Sequence, residues 1–118
     1  MGCFNVKMDI GDQHGERWIT TDALVDTGAF FSSIPPSTLR ELGVSPVMSR
    51  NFQFGDGSIK RMNIGRTWIR VNGRDAFTQV TFSEEGAPIL LGALALEELL
   101  FVVNPKEQRL VPMDLINA

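Results

Sequence analysis

The chain has 118 residues, of which 43% are hydrophobic, and its mean hydropathy is +0.01. This composition excludes a disordered chain and predicts one globular domain over residues 1–118. The formal net charge of −3 argues against a nucleic-acid-binding surface. No apolar run is long enough to cross a membrane and residues 1–7 lack a signal-peptide hydrophobic stretch, so we expect a cytoplasmic protein without membrane association.

Cys3 and His14 are the only cysteine and the only histidine in the chain. An intrachain disulfide and a cysteine/histidine zinc site are therefore excluded. A Ser-His-Asp triad would have to use His14, which we expect to be exposed in a turn over residues 11–15. We see no cluster of convergent oxygen ligands either, so the sequence predicts no metal.

The first elements are two strands joined by that turn. Apolar residues alternate with polar ones over residues 4–10, which predicts a half-buried strand. The second strand, over residues 16–25, becomes apolar on both faces at its end. A strand of that kind is typically covered on both sides, so we expect it in a central position.

The second strand runs directly into Asp26-Thr27-Gly28. A carboxylate behind a buried strand loses hydration, which hydrogen bonds or a shifted pKa must offset. Gly28 permits a sharp turn and Thr27 supplies a hydroxyl. The alternative is an ordinary Asx-type turn at the end of a strand, and the tripeptide alone favours it.

The middle of the chain predicts a short helix and two β-hairpins. Pro36 or Ser37 begins the helix and Gly43 ends it. Strands over residues 47–54 and 58–64 flank a hairpin tip, and strands over 66–71 and 76–82 flank a second turn. The tips are Gly55-Asp56-Gly57 and Asn72-Gly73. Several basic residues of these strands are expected on a solvated face, namely Lys60, Arg61, Arg66, Arg70 and Arg74.

The last part predicts a loop over residues 83–88, an apolar strand over 89–92 and a helix over 93–100. Two further strands, over 101–103 and 109–113, complete the chain. The strand over 89–92 repeats the pattern of 24–28, because both are apolar and both end in a glycine. The second copy carries no acid.

The order of these parts resembles the retropepsin-like aspartic proteases, which are single-domain relatives of retroviral protease and pepsin. The resemblance covers nearly the whole chain. It implies a mainly β fold, a closed β-barrel comparable to half of pepsin, with one or two short helices. The segments that carry the resemblance are Val25–Ala29, Phe52–Ser58, Leu90–Gly92 with the helix over 93–99, and the tail segments 100–105 and 109–112.

The resemblance implies an aspartic endopeptidase that needs no cofactor. Two carboxylates share a proton in such enzymes, and they activate a water molecule and polarise the scissile carbonyl. This chain has one Asp-Thr-Gly, so the resemblance implies a homodimer acting on a polypeptide. Asp26 would join the dyad, Thr27 would brace the paired loops and Gly28 would let the two backbones meet. The alternative is a retropepsin-like peptide-binding or dimerisation module with little or no catalysis.

By the same resemblance, the first hairpin is a flap that closes over the substrate. Phe52 would contact an apolar side chain, and the backbone of the flap tip would bind an extended peptide. The expected substrate-binding residues are Ala29, Phe54, Gly55, Asp56 and Gly57. The alternatives are a plain connecting hairpin and, for Asp56, a role in the turn alone.

The positions of several aromatic residues and of Asp22 lead to three further expectations. Phe30 and Phe31 are bulkier than the family pattern; they line a subsite or fill the core, and we expect at least one of them in the core. Trp18 and Trp68 are expected to pack in the core or at an interface. Asp22 lies about 13 Å along a strand from Asp26, too far to share a proton with it.

Overall fold

The computed structural model describes residues 4–118; Cys3 lies outside the described residues. This part of the chain is mainly β with two short helices, as predicted. The strands are β1 (Asn5–Gly11), β2 (Trp18–Val25), β3 (Ser32–Ile34), β4 (Met48–Gln53), β5 (Ile59–Val71), β6 (Arg74–Phe82), β7 (Leu90–Leu91), β8 (Phe101–Asn104) and β9 (Arg109–Pro112). The helices are α1 (Pro36–Glu41) and α2 (Ala93–Glu98).

Six of the strands within residues 4–118 close into a ring. The pairings run β1–β2–β7–β3–β6–β5, and β5 returns to pair with β1. Closure removes open edges from the barrel wall, which agrees with the predicted closed β-barrel. β4 pairs only with the first half of β5, so these two strands project as a hairpin, and β8 and β9 form a separate two-stranded sheet.

The core lies inside the ring and follows the two-residue period of the strands. Met8 and Ile10 of β1 are fully buried, and the intervening Asp9 is not. Ile69 and Val80 reach the same interior from β5 and β6. Each such side chain contributes about 1.5–3 kcal/mol by leaving water. The alternation predicted for the first strand is therefore confirmed.

The repeated pattern of residues 24–28 and 89–92 corresponds to a direct pairing. β2 and β7 run parallel, with Leu24 opposite Leu90 and Val25 opposite Leu91. β2 lies between β1 and β7, which confirms its predicted central position. Ala23 and Val25 on one face of its end are buried, whereas Leu24 on the other face is half-buried, so the strand end is fully covered on one face only.

Two features of the sheet differ from the sequence prediction. Residues 59–71 form one strand where two were predicted, and β3 was not predicted at all. Gly65 lies in the middle of β5 without ending it; a Cβ there would lie 2.9 Å from the Phe82 ring, so the glycine provides space. β3 has only three residues and is held by β6 and β7, which local sequence does not reveal.

Helix α1 begins after Pro35 and ends before Gly43, whose φ is +71°, as predicted. Its first turn is capped from a distant loop. The Ser37 backbone N–H and hydroxyl donate to the Glu85 carboxylate at 2.7 and 2.8 Å. These hydrogen bonds lower the pKa of Glu85.

The turns and the basic strand residues follow the predictions in most places. Asn72 and Gly73 both have positive φ, which confirms the predicted tight turn. Arg70 pairs with Asp75 at 2.6 Å, which raises the pKa of Arg70. The solvated-face prediction is wrong for Arg74, which donates to two backbone carbonyls after α2 because that helix end packs beside β6. Lys60, Arg61 and Arg66 are exposed, and so is His14.

The two tryptophans pack on the outside of the barrel. Trp18 covers Gly11, where a Cβ would lie 2.8 Å from the indole ring. Trp68 packs against Phe77, with their ring centroids 5.4 Å apart. Both indoles are half-buried and donate to backbone carbonyls of the β1–β2 turn. Neither belongs to the core cluster. Among the helices of residues 4–118, none is long and apolar enough to span a membrane.

Candidate active site

Asp26 follows the last residue of β2, where the backbone is fixed by its neighbours. Its N–H donates to the Leu91 carbonyl at 3.0 Å, continuing the parallel β2–β7 ladder by one step. On the other side, the Val25 N–H donates to the Phe4 carbonyl at 2.9 Å. The carboxylate therefore leaves the sheet from a position set by two neighbouring segments.

The Asp26 carboxylate closes an Asx-type turn. Its Oδ1 accepts a hydrogen bond from the Gly28 N–H at 2.9 Å, and the Ala29 N–H donates to the Asp26 carbonyl at 3.2 Å. A Cβ on residue 28 would lie 3.2 Å from the same Oδ1, so a glycine suits this close approach. The Asx turn that the tripeptide alone favoured is present. Asp26 is nevertheless half-exposed, and Thr27 and Gly28 are exposed.

The far side of the loop is clamped by the start of α2. The Ala93 and Leu94 N–H groups donate to the carbonyls of Ala29 and Phe30 at 2.8 and 2.9 Å. The Gly92 N–H donates to the buried hydroxyl of Ser32 at 3.0 Å. The loop after Asp26 is thus held by backbone hydrogen bonds at both ends, which preorganises the carboxylate.

A cleft of about 490 Å³ separates this loop from the β4–β5 hairpin. Asp26 is the only acid among the described residues that line it. The lining consists of Asp26, Gly28, Ala29, Phe30, Phe31, Ser33, Phe52, Gln53, Phe54, Gly55, Met62, Thr81 and Leu90. The structure therefore brings the Asp-Thr-Gly loop and the predicted flap to the same opening.

The tip of the hairpin is an ordered turn. The Phe54 N–H donates to the Ser58 carbonyl and the Gly57 N–H to the Phe54 carbonyl, both at 2.9 Å. Gly57 has a φ of +86°, which favours glycine. The Asp56 carboxylate accepts the N–H and hydroxyl of Ser58, and these bonds lower the pKa of Asp56.

Only part of the predicted flap contact set lines the cleft. Phe54 and Gly55 do so, and so does Ala29 on the opposite loop. Asp56 and Gly57 are exposed at the tip, outside the lining. The hydrogen bonds of Asp56 show its role in the turn.

Phe30 and Phe31 lie along the cleft, and the expectation that one of them fills the core is wrong. Phe30 is 62% exposed, Phe31 is half-buried, and neither belongs to the core cluster. The reason is that both precede β3, where the chain still follows the cleft wall. Phe31 makes edge-to-face contacts with Phe30 and with Phe52 of the flap, at ring-centroid distances of 4.9 and 5.8 Å.

Sequence reasoning missed several lining residues, in part because it did not predict β3 or its pairing with β6. Ser33 on β3 and Thr81 on β6 share a hydrogen bond of 2.9 Å between their hydroxyls. Met62 and Gln53 reach the cleft from the flap strands, and Leu90 reaches it from β7. The hydroxyl residues between Phe31 and Ile34 were the available signal for a polar wall after the loop.

No other acid in residues 4–118 joins Asp26 in this cleft. Asp22 is exposed and pairs with Lys7 at 2.8 Å. Within the described chain there is no group of three or more histidine, cysteine, aspartate or glutamate side chains placed to hold a metal ion.

Comparison with solved structures identifies the fold. The chain is similar to the retroviral protease-like domain of Ddi1 from Leishmania major (TM-score 0.64, 20% identity, 98% of this chain and 91% of that one). It is also similar to the simian foamy virus (mac) protease (TM-score 0.57, 19% identity, 80% and 92%). No protein-family model and no curated protein sequence matches the chain. The chain therefore has a retropepsin-like fold.

Proposed function

From this retropepsin-like fold and its cleft, we propose that the protein is an aspartic endopeptidase that acts as a homodimer. The observation that carries the proposal is that Asp26 and the flap residues Phe52, Phe54 and Gly55 line one cleft. The proteases among the structural neighbours support the same reading at the level of the fold.

A single copy of the cleft is chemically incomplete. Hydrolysis by this mechanism needs one carboxylate to take a proton from water and one protonated carboxyl to polarise the scissile carbonyl. The described lining supplies one acid, Asp26. A second copy related by a two-fold axis supplies the other, since an axis through the loop brings identical side chains together.

The exposed part of the loop is suited to that contact. Thr27 and Gly28 are exposed beside Asp26, and the backbone beneath them is fixed by β7 and α2. In the dimer the Thr27 hydroxyl donates across the axis and Gly28 lets the two backbones approach. In the proposed mechanism the two Asp26 carboxyls share one proton, because two carboxylates brought side by side repel each other.

The substrate is an extended polypeptide held between the loop and the flap. Ala29 lies on one wall of the cleft, and Phe54 and Gly55 lie on the other. Asp56 and Gly57 complete the turn at the tip of the flap. Backbone groups of a hairpin bind an extended peptide as an added strand. Phe30, Phe31 and Phe52 offer apolar surface to the side chains of the substrate. In this proposal residues 1–118 act as one domain.

The first test replaces Asp26 by Asn. Asparagine keeps an oxygen that accepts the Gly28 N–H, so the loop retains its shape while the proton-transfer group is lost. We expect hydrolysis of a mixed peptide library to fall by at least about a hundredfold, the scale of general acid–base catalysis. The matched control is Asp22→Asn, an exposed aspartate outside the cleft, which should cleave like the unmodified protein.

Undiminished cleavage by Asp26→Asn would remove Asp26 from the mechanism. If the unmodified protein binds a statine-type transition-state analogue but cleaves no library peptide from acidic to neutral pH, the fold serves as a peptide-binding module instead.

A further inference from the structure

A second cleft, which we call the basic groove, lies between helix α1 and strand β5. Its volume is about 460 Å³. Met62 lines both this groove and the cleft that contains Asp26, so the two openings are neighbours along the flap hairpin. Val44 and Phe82 contribute apolar surface to the groove. A polypeptide that left the Asp26 cleft past Met62 would enter the basic groove.

The charge of the groove is opposite to that of the chain. Arg40, Lys60 and Arg61 line it, and Glu84 is the only acid that does so among the described residues. Their formal sum is positive, whereas the whole chain carries −3. A positively charged groove on a net acidic chain attracts negatively charged ligands.

Two of the three cations are available to a ligand. Lys60 pairs with Glu84, but neither Arg40 nor Arg61 has an ion pair within residues 4–118, and both are exposed. Glu85 is near enough to Arg40 to feel its charge, yet its carboxylate oxygens are occupied by Ser37. Arg40 comes from α1 and Arg61 from β5, so they approach the groove from two different elements.

We propose that the basic groove binds an acidic segment of the polypeptide substrate, outside the scissile bond, and that Arg40 and Arg61 determine this preference. The proposal rests on the proposed endopeptidase function for the word substrate, but the binding itself does not require catalysis. Guanidinium groups bind carboxylates with paired hydrogen bonds, and two of them lining one groove can each bind an acidic residue of the same segment. Glu84 opposes the same ligand and limits its affinity.

The test measures binding separately from cleavage. Fluorescein-labelled peptides that share one apolar sequence, flanked either by two glutamates or by two glutamines, are titrated into Asp26→Asn protein and followed by anisotropy. We expect tighter binding of the glutamate peptide, and a preference that shrinks as salt is raised. Arg40→Gln and Arg61→Gln, each in the Asp26→Asn background, should each weaken binding of the glutamate peptide by about three- to fivefold. Binding of the glutamine peptide should not change.

Two matched variants sharpen the result. Arg66→Gln removes an exposed cation from the same strand but outside the groove, and it should leave the preference unchanged. Glu84→Gln removes the opposing acid and should strengthen binding of the glutamate peptide. Equal binding of the two peptides, or an equal loss with Arg66→Gln, overturns the proposal.

The same peptides then separate this proposal from the proposed function. In the active protein, the glutamate peptide should have the lower KM, and Arg40→Gln or Arg61→Gln should raise that KM with kcat unchanged. Absence of any cleavage contradicts the endopeptidase function, while the anisotropy result still decides the groove. A kcat that falls without a change in KM contradicts a binding role for the two arginines.

Discussion

At the scale of single residues, Gly92 shows how the Asp26 loop is held in place. Its φ of −94° is accessible to any residue, so conformation does not explain the glycine. Space does, because a Cβ would lie 2.6 Å from the carbonyl carbon and oxygen of Phe31. The same residue donates to the buried Ser32 hydroxyl. Gly92 is therefore the point at which the β7–α2 junction approaches the backbone after Asp26.

We expect Gly92→Ala to destabilise the protein by about 1–3 kcal/mol, because the added methyl group meets backbone that cannot rotate away. Urea unfolding followed by tryptophan fluorescence measures the change. The matched control is Gly55→Ala, where nothing lies within 4 Å of the added Cβ; its effect should stay within about 0.5 kcal/mol. Equal stability of Gly92→Ala and the unmodified protein would show that the loop moves freely.

At the scale of elements, helix α1 depends on a cap from outside itself. Pro35 at its N-cap provides no side-chain hydrogen bond, and the helix has only six residues. Glu85, in the loop after β6, accepts both hydrogen bonds from Ser37 and places a negative charge at the helix start. Because α1 also carries Arg40, this contact fixes one wall of the basic groove.

The cap makes a pH-dependent contribution to stability. The folded-state pKa of Glu85 is lowered from 4.5, so its stabilising effect is present above that value and is lost as pH falls through the lowered pKa. We expect Glu85→Gln to lower the Tm at pH 7 and to have a smaller effect at pH 3, which lies below the ordinary value of 4.5. Thermal unfolding at both pH values measures this, with the exposed Glu16→Gln as the control. A pH-independent difference would contradict a charge-assisted cap.

At the scale of the whole molecule, the closed barrel presents the Asp26 loop and the flap at one opening. The backbone of the loop is tied to β7 and α2, whereas the flap projects from the barrel on β4 and the first half of β5. The contact between Phe31 and Phe52 joins the two sides. A rigid loop and a projecting hairpin suit a site that closes over a bound peptide.

The proposed dimer has a quantitative consequence for mixed subunits. If two Asp26 side chains form one site, equal amounts of unmodified and Asp26→Asn subunits, allowed to exchange, leave about one quarter of the dimers active. If each subunit carried an independent site, the mixture would keep about one half of the activity of unmodified protein at the same total concentration. Initial cleavage rates after mixing distinguish the two values. Asp22→Asn subunits in the same mixture should produce no loss.

The parts of the fold that could be predicted from sequence are those with local causes. The alternation of β1 follows from the two-residue period of a strand, and the Asn72-Gly73 turn follows from the need for positive φ. Gly43 ends α1 for the same local reason. The position of Asp26 at the end of a central strand could also be predicted, because the apolar residues before it occupy both faces.

What the sequence by itself determined is one Asp-Thr-Gly loop after an apolar strand, together with the hairpins and short helices around it. Only the tertiary structure decided what these pieces meet: β7 beside β2, Glu85 on α1, and the flap across from Asp26. It also placed Phe31 on the cleft wall rather than in the core. The physical reason is that these outcomes depend on contacts between residues remote in the chain, whereas turns and strand periods are set by neighbouring residues.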